Sequence, residues 1–166
     1  MDKTVWIVKN LWLIPALPIL AAGLTALAPQ RCRRFSATLA IGAMGFAFLL
    51  SLCAFAHTLQ PGGHDAAKPV FNFAWLQFAA GDPGILKLGW VLDPLAAVML
   101  VLVSFVGLLI FIYSVGYMAH DENFARFFTF LSLFAGAMLG VVIANSLLLL
   151  FICWELVGLT SYLLIG

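Results

Sequence analysis

Charge is scarce in this sequence. Only 9% of its 166 residues are Asp, Glu, Lys or Arg, whereas 64% are hydrophobic. Soluble domains average about a quarter charged and about half apolar residues, so this chain cannot fold around one water-facing surface. Its eight basic and seven acidic side chains nearly cancel, which argues against a nucleic-acid partner. The composition therefore predicts a protein that lies in the lipid bilayer.

Motifs for cofactors, metals and nucleophilic catalysis are also lacking. The sequence has no glycine-rich phosphate loop, no dinucleotide fingerprint and no nucleophile motif. Cys32, Cys53 and Cys153 are far apart in the sequence, so they predict neither a disulfide framework nor an iron–sulfur or metal site. His57 and His64 have no third ligand at metal-binding spacing. We expect no redox cofactor and no metal on this chain.

Long apolar stretches are what the sequence does have. Five of them exclude charge almost completely, and each is about as long as a helix that crosses a hydrocarbon core of about 30 Å. Their backbone is expected to be helical because lipid offers it no hydrogen-bond partners. The sequence therefore predicts an all-α polytopic membrane protein with five transmembrane helices, at Leu11–Ala28, Phe35–Ala56, Leu95–Tyr117, Phe127–Ala144 and Ser146–Gly166.

The first apolar stretch has an alternative interpretation as a secretory signal. It follows Lys3 and Lys9 and ends in small residues at Ala26–Ala28, as a signal segment and its cleavage site do. Pro29 directly after that site argues against cleavage, and the stretch already has the length to span a bilayer. We expect it to remain as the first transmembrane helix.

The orientation follows from a basic turn between the first two helices. Arg31, Arg33 and Arg34 lie there close together, and short arginine-rich loops remain in the cytoplasm. The amino terminus is then expected outside, together with the long loop after the second helix. The total count of basic residues is less decisive, because the opposite side holds Lys3, Lys9, Lys68 and Lys87.

The long outer loop contains two segments rich in aromatic and β-branched residues, Val70–Leu76 and Ile85–Leu92. The glycines, aspartate and proline at 81–84 between them favour a turn. This pattern predicts a small β-hairpin on the outer surface. The alternative is an irregular loop that Trp75 and Trp90 anchor at the level of the lipid headgroups.

Helix four and the helix ends carry further patterns. Small residues recur at every fourth position of helix four, which predicts a face in close contact with another helix; they are Ser132, Gly136, Gly140 and Ala144. Asp93 before Pro94 is typical of a helix start. Asp121 or Asn123 is predicted to cap helix four, and Arg126 to anchor it at the cytoplasmic interface.

Glu155 is the residue on which the functional prediction rests. It lies roughly 15 Å into the fifth apolar stretch, near the bilayer midplane. A carboxylate there costs about 2.5–3.5 kcal/mol on insertion scales, so we expect it to face protein, a cation or water. Such a group can bind and release a proton as its partner moves. The alternative is a structural carboxyl that is hydrogen-bonded to a neighbouring helix and has no transport role.

Two residues share the helical face of Glu155, namely Gly158 and Tyr162. Gly158 could leave room for water, and the Tyr162 hydroxyl could extend a hydrogen-bonded chain. Both could equally be ordinary packing residues, and the sequence slightly favours packing.

Three motifs resemble a known family. They are Gly116-Tyr117-Met118, the segment His120–Phe128 and the segment Trp154–Gly166. Together they are similar to the L-type (chain 5) proton-translocating subunit of respiratory complex I, the NADH:quinone oxidoreductase. Leu92–Leu95 is a weaker match, and the resemblance is detailed only from about Trp90 onward.

The resemblance implies a longer antiporter-like bundle, in which Glu155 works with a lysine on a later broken helix in moving protons. It also implies an outer hairpin, an outer amino terminus and a place in the inner (plasma) membrane beside other complex I subunits. NADH, flavin, iron–sulfur clusters and quinone would bind to those other subunits. Residues 1–90 would hold helices one and two and the outer loop, 91–145 the family's N-terminal region, and 146–166 the start of the proton-translocating core.

The resemblance leaves one departure and two alternatives. Family members are several times longer, so we interpret this chain as incomplete and expect the function to belong to the intact subunit. A subunit of a multisubunit sodium/proton antiporter has the same fold and the same Trp-Glu pair. Val157-Gly158 after that pair favours complex I, because the antiporters tend to carry hydroxyl residues there. A purely structural membrane subunit is the second alternative.

Overall fold

The computed structural model describes residues 6–7, 9–27, 33–59, 70–77 and 85–165. Five helices of 15 residues or more and one two-stranded sheet are found there: α1 (Leu13–Leu27), α2 (Arg33–Thr58), β1 (Val70–Gln77), β2 (Ile85–Val91), α3 (Pro94–Tyr117), α4 (Phe124–Ile143) and α5 (Leu147–Ile165). The predicted fold class is confirmed. Several residues on which predictions rest lie outside the described residues, namely Lys3, Ala28, Pro29, Arg31, Cys32, His64, Lys68 and the turn at 81–84.

Four of the five helices are long and apolar enough to cross a membrane: α2 with 26 residues, α3 with 24, α4 with 20 and α5 with 19. The first predicted span is a shorter apolar helix, since α1 has 15 residues and is about 22 Å long. Four possible crossings and one shorter helix indicate a multi-pass membrane protein.

A proline explains why α1 begins at Leu13, two residues after the predicted start at Leu11. Pro15 has no backbone N–H and cannot donate to the carbonyl of Leu11, four residues before it. That carbonyl instead accepts a bond of 3.1 Å from the N–H of Ile14, in the tighter i to i−3 pattern. The regular helix therefore begins only after the turn around Leu11 and Trp12.

Helix α4 lies at the centre of the bundle and contacts each of the other four helices. Its Phe128 is fully buried and meets the equally buried Phe111 of α3 edge to face, with ring centroids 6.2 Å apart. Met44 of α2 and Leu100 of α3 complete the same core. The apolar side of α4 is thus covered by protein over much of its length.

The predicted close-contact face of α4 is confirmed. A Cβ added to Gly136 would lie 2.5 Å from Cγ1 of Ile19 and 3.0 Å from the carbonyl oxygen of Pro15, both on α1. A Cβ added to Gly140 would lie 2.8 Å from Sγ of Cys153 on α5. The two glycines therefore let α1 and α5 approach the α4 backbone.

The other two residues predicted on this face are Ser132 and Ala144. Ser132 is fully buried. Ala144 is half-buried just after the end of α4, where it forms an isolated antiparallel β-bridge with Trp90 of the hairpin.

The predicted hairpin is confirmed. Strands β1 and β2 pair antiparallel from Val70 opposite Val91 to Gln77 opposite Ile85, with an irregularity in register between Ala74 and Leu76. The rings of Phe71 and Trp90 stack with centroids 4.7 Å apart. This pair lies at the end of the hairpin that is far from the turn, and Trp90 contacts the residue just after α4.

Arg33 connects two segments of the chain at the opposite end of the bundle. Its guanidinium donates to the carbonyl oxygen of Ala119 at 2.7 Å and also to that of Asp121, and it lies 5.6 Å from the centre of the Phe124 ring. The start of α2 and the connection between α3 and α4 therefore share one end, which we call the arginine end. The other end, which carries β1, β2 and Asn145, is the hairpin end.

Asp93 starts α3 as predicted. Its backbone is extended, with φ −121° and ψ 168°, and its Oδ1 accepts a 2.6 Å bond from the N–H of Ala96. Pro94 follows in the first turn, where a missing N–H costs nothing.

Replacing Asp93 by alanine should destabilise the folded protein by about 1 kcal/mol, because the N–H of Ala96 loses its side-chain acceptor. Unfolding of the detergent-solubilised protein in a denaturant series measures this difference. Asp93→Asn is the matched control, since it keeps a capping oxygen and should retain most of the stability. Equal losses in the two variants would show that charge, and not the cap, is what matters.

The start of α4 differs from its prediction. Asn123 does take the cap position, but its φ of −88° and ψ of 20° are not the extended backbone that places a capping side chain, and no side-chain cap bond forms. Asp121 does not cap the helix either; its Oδ1 accepts from the N–H of Asn123 at 2.7 Å. Arg126 is exposed, and its guanidinium carbon is 5.5 Å from the centre of the Phe130 ring.

Candidate functional site

Helix α5 begins with a serine cap. The hydroxyl of Ser146 accepts from the N–H of Leu149 at 3.2 Å, and its carbonyl accepts from the N–H of Leu150 at 3.0 Å. The 19 residues that follow carry one ionisable carboxyl group, that of Glu155. It lies about 12 Å along the helix from Leu147 and about 15 Å from Ile165. Glu155 is thus near the middle of a helix that can cross a membrane.

One side of α5 is fixed to α4. Cys153 packs against Gly140, and Thr160 is the one fully buried residue of the helix. The Thr160 hydroxyl donates to the carbonyl of Leu156 at 2.7 Å and to that of Val157 at 3.1 Å, so its polarity is satisfied within the helix. This side holds the helix in place and leaves the other side open.

The open side of α5 carries Glu155. Its side chain is exposed, and so are those of Trp154 and Tyr162, at 66% and 70% of their surface. No atom of the neighbouring elements lies within 4 Å of where a Cβ of Gly158 would be. Gly158 and Tyr162 therefore share the open face with Glu155, as their spacing predicts, and neither packs inside the described part of the chain.

Glu155 has no hydrogen-bond or ion-pair partner among the described residues. The side-chain bonds along α5 there belong to Ser146 and Thr160. A structural carboxyl group is expected to have a hydrogen-bond partner on a neighbouring helix, and the described helices do not supply one.

The other side chains in the described ranges that could bind a metal ion are not clustered. Within the described ranges, no three His, Cys, Asp or Glu side chains lie close enough together to hold a metal ion. Cys53 is exposed and Cys153 is half-buried, both as free thiols. His57 lies in the last turn of α2. Glu155 is thus a lone carboxyl group on the exposed side of α5.

Sequence reasoning missed the contacts at the hairpin end of α5. The backbone N–H of Asn145 donates to the carbonyl of Gly89 at 3.0 Å, and its side-chain amide donates to Oδ1 of Asn72 at 2.8 Å. A glycine inside a strand pattern signals a close backbone approach, so Gly89 could have indicated that another segment packs there. Nothing local in the sequence identifies Asn72 or Asn145 as its partners.

Comparisons with known proteins agree with the motifs. Residues 75–128 match the family model described as NADH-Ubiquinone oxidoreductase (complex I), chain 5 N-terminus. The chain is 39% identical to the chloroplastic NAD(P)H-quinone oxidoreductase subunit 5 of Cryptomeria japonica, over 97% of this chain and 22% of that protein. It is 40% identical to NAD(P)H-quinone oxidoreductase chain 5 of Synechocystis sp., over 93% of this chain and 23% of that protein.

A third relative likewise matches most of this chain and a small part of its own length. NAD(P)H-quinone oxidoreductase subunit 5, organellar chromatophore 1, of Paulinella chromatophora is 39% identical over 96% of this chain and 24% of that protein. The chain thus spans less than a quarter of the length of these three relatives. It belongs to the family of complex I chain 5 proteins, the NAD(P)H-quinone oxidoreductase subunits 5.

Proposed function

We propose that this chain is part of a membrane subunit of a proton-pumping NADH:quinone oxidoreductase. The subunit takes part in proton translocation that is coupled to electron transfer from NADH to quinone. The observation that carries this proposal is Glu155, a lone carboxyl group midway along an apolar helix, in a chain whose relatives are named NAD(P)H-quinone oxidoreductase subunit 5. The subunit is then part of a translocase, and NADH, flavin, iron–sulfur clusters and quinone bind to other subunits.

Physical chemistry requires that the open face of α5 is covered. A carboxyl group that faces lipid costs several kcal/mol, and intramembrane carboxyl groups almost always face a bundle interior or a water-filled cavity. The relatives are more than four times as long as the segment that they share with this chain. We infer that further helices of the intact subunit cover this face and bring a cationic side chain, expected to be a lysine, to Glu155.

Glu155 then works as a switchable proton site. An approaching cation favours its charged form and releases the proton, and withdrawal of the cation favours proton uptake. Tyr162 lies seven residues further on the same face, where its hydroxyl can extend a hydrogen-bonded chain. Gly158 between them leaves space for water. Both are proposed as supporting residues.

The proposal includes a place in the membrane. The subunit lies in the inner (plasma) membrane as a multi-pass protein, with the arginine end in the cytoplasm and the amino terminus outside. Arg33 joins the start of α2 to Ala119 and Asp121. It therefore supports placing the α1–α2 and α3–α4 connections on the same side of the membrane. Residues 1–90, 91–145 and 146–166 are proposed as the initial helices with the loop, the family's N-terminal region and the start of the translocating core.

Two alternatives make different predictions for purification. We expect a tagged full-length subunit, extracted from its own membranes in mild detergent, to copurify with flavin- and iron–sulfur-containing subunits and with NADH:quinone reductase activity. A sodium/proton antiporter would copurify with membrane subunits alone and without that activity, which would contradict the proposal. A structural subunit would copurify with the same complex, and only a Glu155 variant separates it from a proton-conducting one.

A further inference from the structure

Three contacts join the hairpin to the start of α5. Trp90 and Ala144 form an antiparallel β-bridge, and the next backbone N–H, that of Asn145, donates to the carbonyl of Gly89 at 3.0 Å. The Asn145 amide nitrogen then reaches across to Oδ1 of Asn72 at 2.8 Å. The connection between α4 and α5 therefore lies against β2 and is joined to it by an isolated bridge.

Gly89 makes the third contact possible. It pairs with Asn72 in the hairpin register. A Cβ at position 89 would collide with Oδ1 of Asn72 and with the backbone oxygen of Phe71. The Asn72 side chain therefore crosses over Gly89, where any side chain would block it, and so reaches Asn145.

The joined segment leads directly into the helix that carries Glu155. Asn145 precedes Ser146, whose hydroxyl and carbonyl close the first turn of α5. A helix is stiff along its axis, so a shift or rotation at its first turn is carried to a residue about 12 Å further on. Strand β2 of the hairpin, like α4, thus contacts α5.

We propose that Asn72 and Asn145 are positioning residues, whose amide-to-amide hydrogen bond sets the depth and rotation of α5 and thereby the place of Glu155. This inference rests on the proposed function of Glu155 for its consequence in proton transfer, but the contact itself does not. The hairpin then acts as a fixed support for the proton site from the water-exposed end of the bundle.

The donor and acceptor roles allow a matched test. Asn145 donates and Asn72 accepts. An asparagine opposite an aspartate can turn its amide and donate to the carboxylate, so the test has to remove the acceptor altogether. Asn72→Leu has nearly the shape of asparagine and no acceptor, whereas Asn72→Asp keeps one. Both variants leave the sequence at the start of α5 unchanged, so loosening of α5 in Asn72→Leu could not be caused by a changed helix cap.

The experiment uses the full-length subunit in the assembled complex. Hydrogen–deuterium exchange of the amides at 147–152 should be about fivefold faster in Asn72→Leu, the effect of losing one neutral hydrogen bond of about 1 kcal/mol. Asn72→Asp should exchange like the unmodified complex. Protons moved per NADH should fall in Asn72→Leu alone, while NADH oxidation and assembly remain unchanged, which a purely structural contact would not cause.

The outcomes separate this inference from the proposed function. Equal exchange rates and equal proton ratios in Asn72→Leu and Asn72→Asp would overturn the positioning role, even if Glu155→Gln stops pumping. If Asn72→Leu alone loosens the first turn of α5 while Glu155→Gln leaves pumping intact, the contact positions the helix and the proton role of Glu155 is what fails.

Discussion

Glu155→Gln in the full-length subunit is expected to lower the number of protons moved per NADH oxidised, while the complex still assembles. Glutamine has nearly the same shape as glutamate but cannot ionise at this position. Removal of a positioned proton-transfer group slows proton transfer by about 10²-fold or more, so transfer through this subunit should nearly stop. Proton uptake and NADH oxidation, recorded together in sealed proteoliposomes, give the ratio.

The chain offers a matched control for this variant. Glu122 is exposed in the turn between α3 and α4, outside the membrane-crossing helices. Glu122→Gln makes the same change of charge and shape, and it should leave the proton ratio unaltered. An unaltered ratio in Glu155→Gln as well, with normal assembly, would mean that the carboxyl group at position 155 is structural.

Gly136→Ala is expected to destabilise the bundle by about 1–3 kcal/mol, the range for overpacking a well-packed core. The added Cβ would lie 2.5 Å from Cγ1 of Ile19, 3.0 Å from the oxygen of Pro15 and 3.2 Å from the nitrogen of Ile19. Two of these three atoms belong to the α1 backbone, so α1 must move away from α4. Unfolding of the purified protein in a denaturant series measures the loss.

Two other glycines provide controls for the same substitution. No atom outside the neighbouring backbone lies within 4 Å of a Cβ at Gly42 on α2, so Gly42→Ala should be neutral or stabilising by up to about 1 kcal/mol, as helix propensity favours alanine. At Gly107 the obstacle is the terminal methyl group of Met44, a flexible side-chain end that can turn away. If Gly136→Ala were as stable as Gly42→Ala, the close approach of α1 to α4 would be refuted.

Local patterns predicted what depends on local physics. A stretch without charge must bury its backbone polar groups in a helix if it crosses lipid, and four such helices appear where the sequence places them. The β-branched and aromatic segments around a turn predicted the hairpin. Asp93 before Pro94 predicted the start of α3, and the spacing of Gly136 and Gly140 predicted the buried face of α4.

What the sequence could not predict depends on contacts between distant residues. Asn72 and Asn145 are 73 positions apart, and Arg33 is 86 positions from Ala119. No periodicity connects such pairs, because their geometry is set only when the helices have packed. The cap of α4 was predicted correctly in position and wrongly in its bond: Asn123 takes the cap position without a side-chain cap bond, and Asp121 accepts from the N–H of Asn123 instead.

The position of Glu155 along its helix could be predicted, whereas its surroundings could not. Counting residues places it near the middle of α5, but which side of the helix contacts α4 depends on the packing of Cys153 against Gly140. That contact turns Glu155 toward the open side. None of the described residues pairs with Glu155, whereas the proposed function requires a cationic partner.

The most direct test of the function compares two transport activities in the same sealed membrane vesicles. Vesicles come from source cells that lack the full-length gene and from cells in which it is restored, with downstream oxidases inhibited and a soluble quinone supplied. We expect NADH-driven proton translocation to disappear with the gene and to return with it, while sodium/proton exchange is unchanged. Intact NADH-driven proton translocation together with lost sodium/proton exchange would contradict the proposed function and assign the chain to an antiporter.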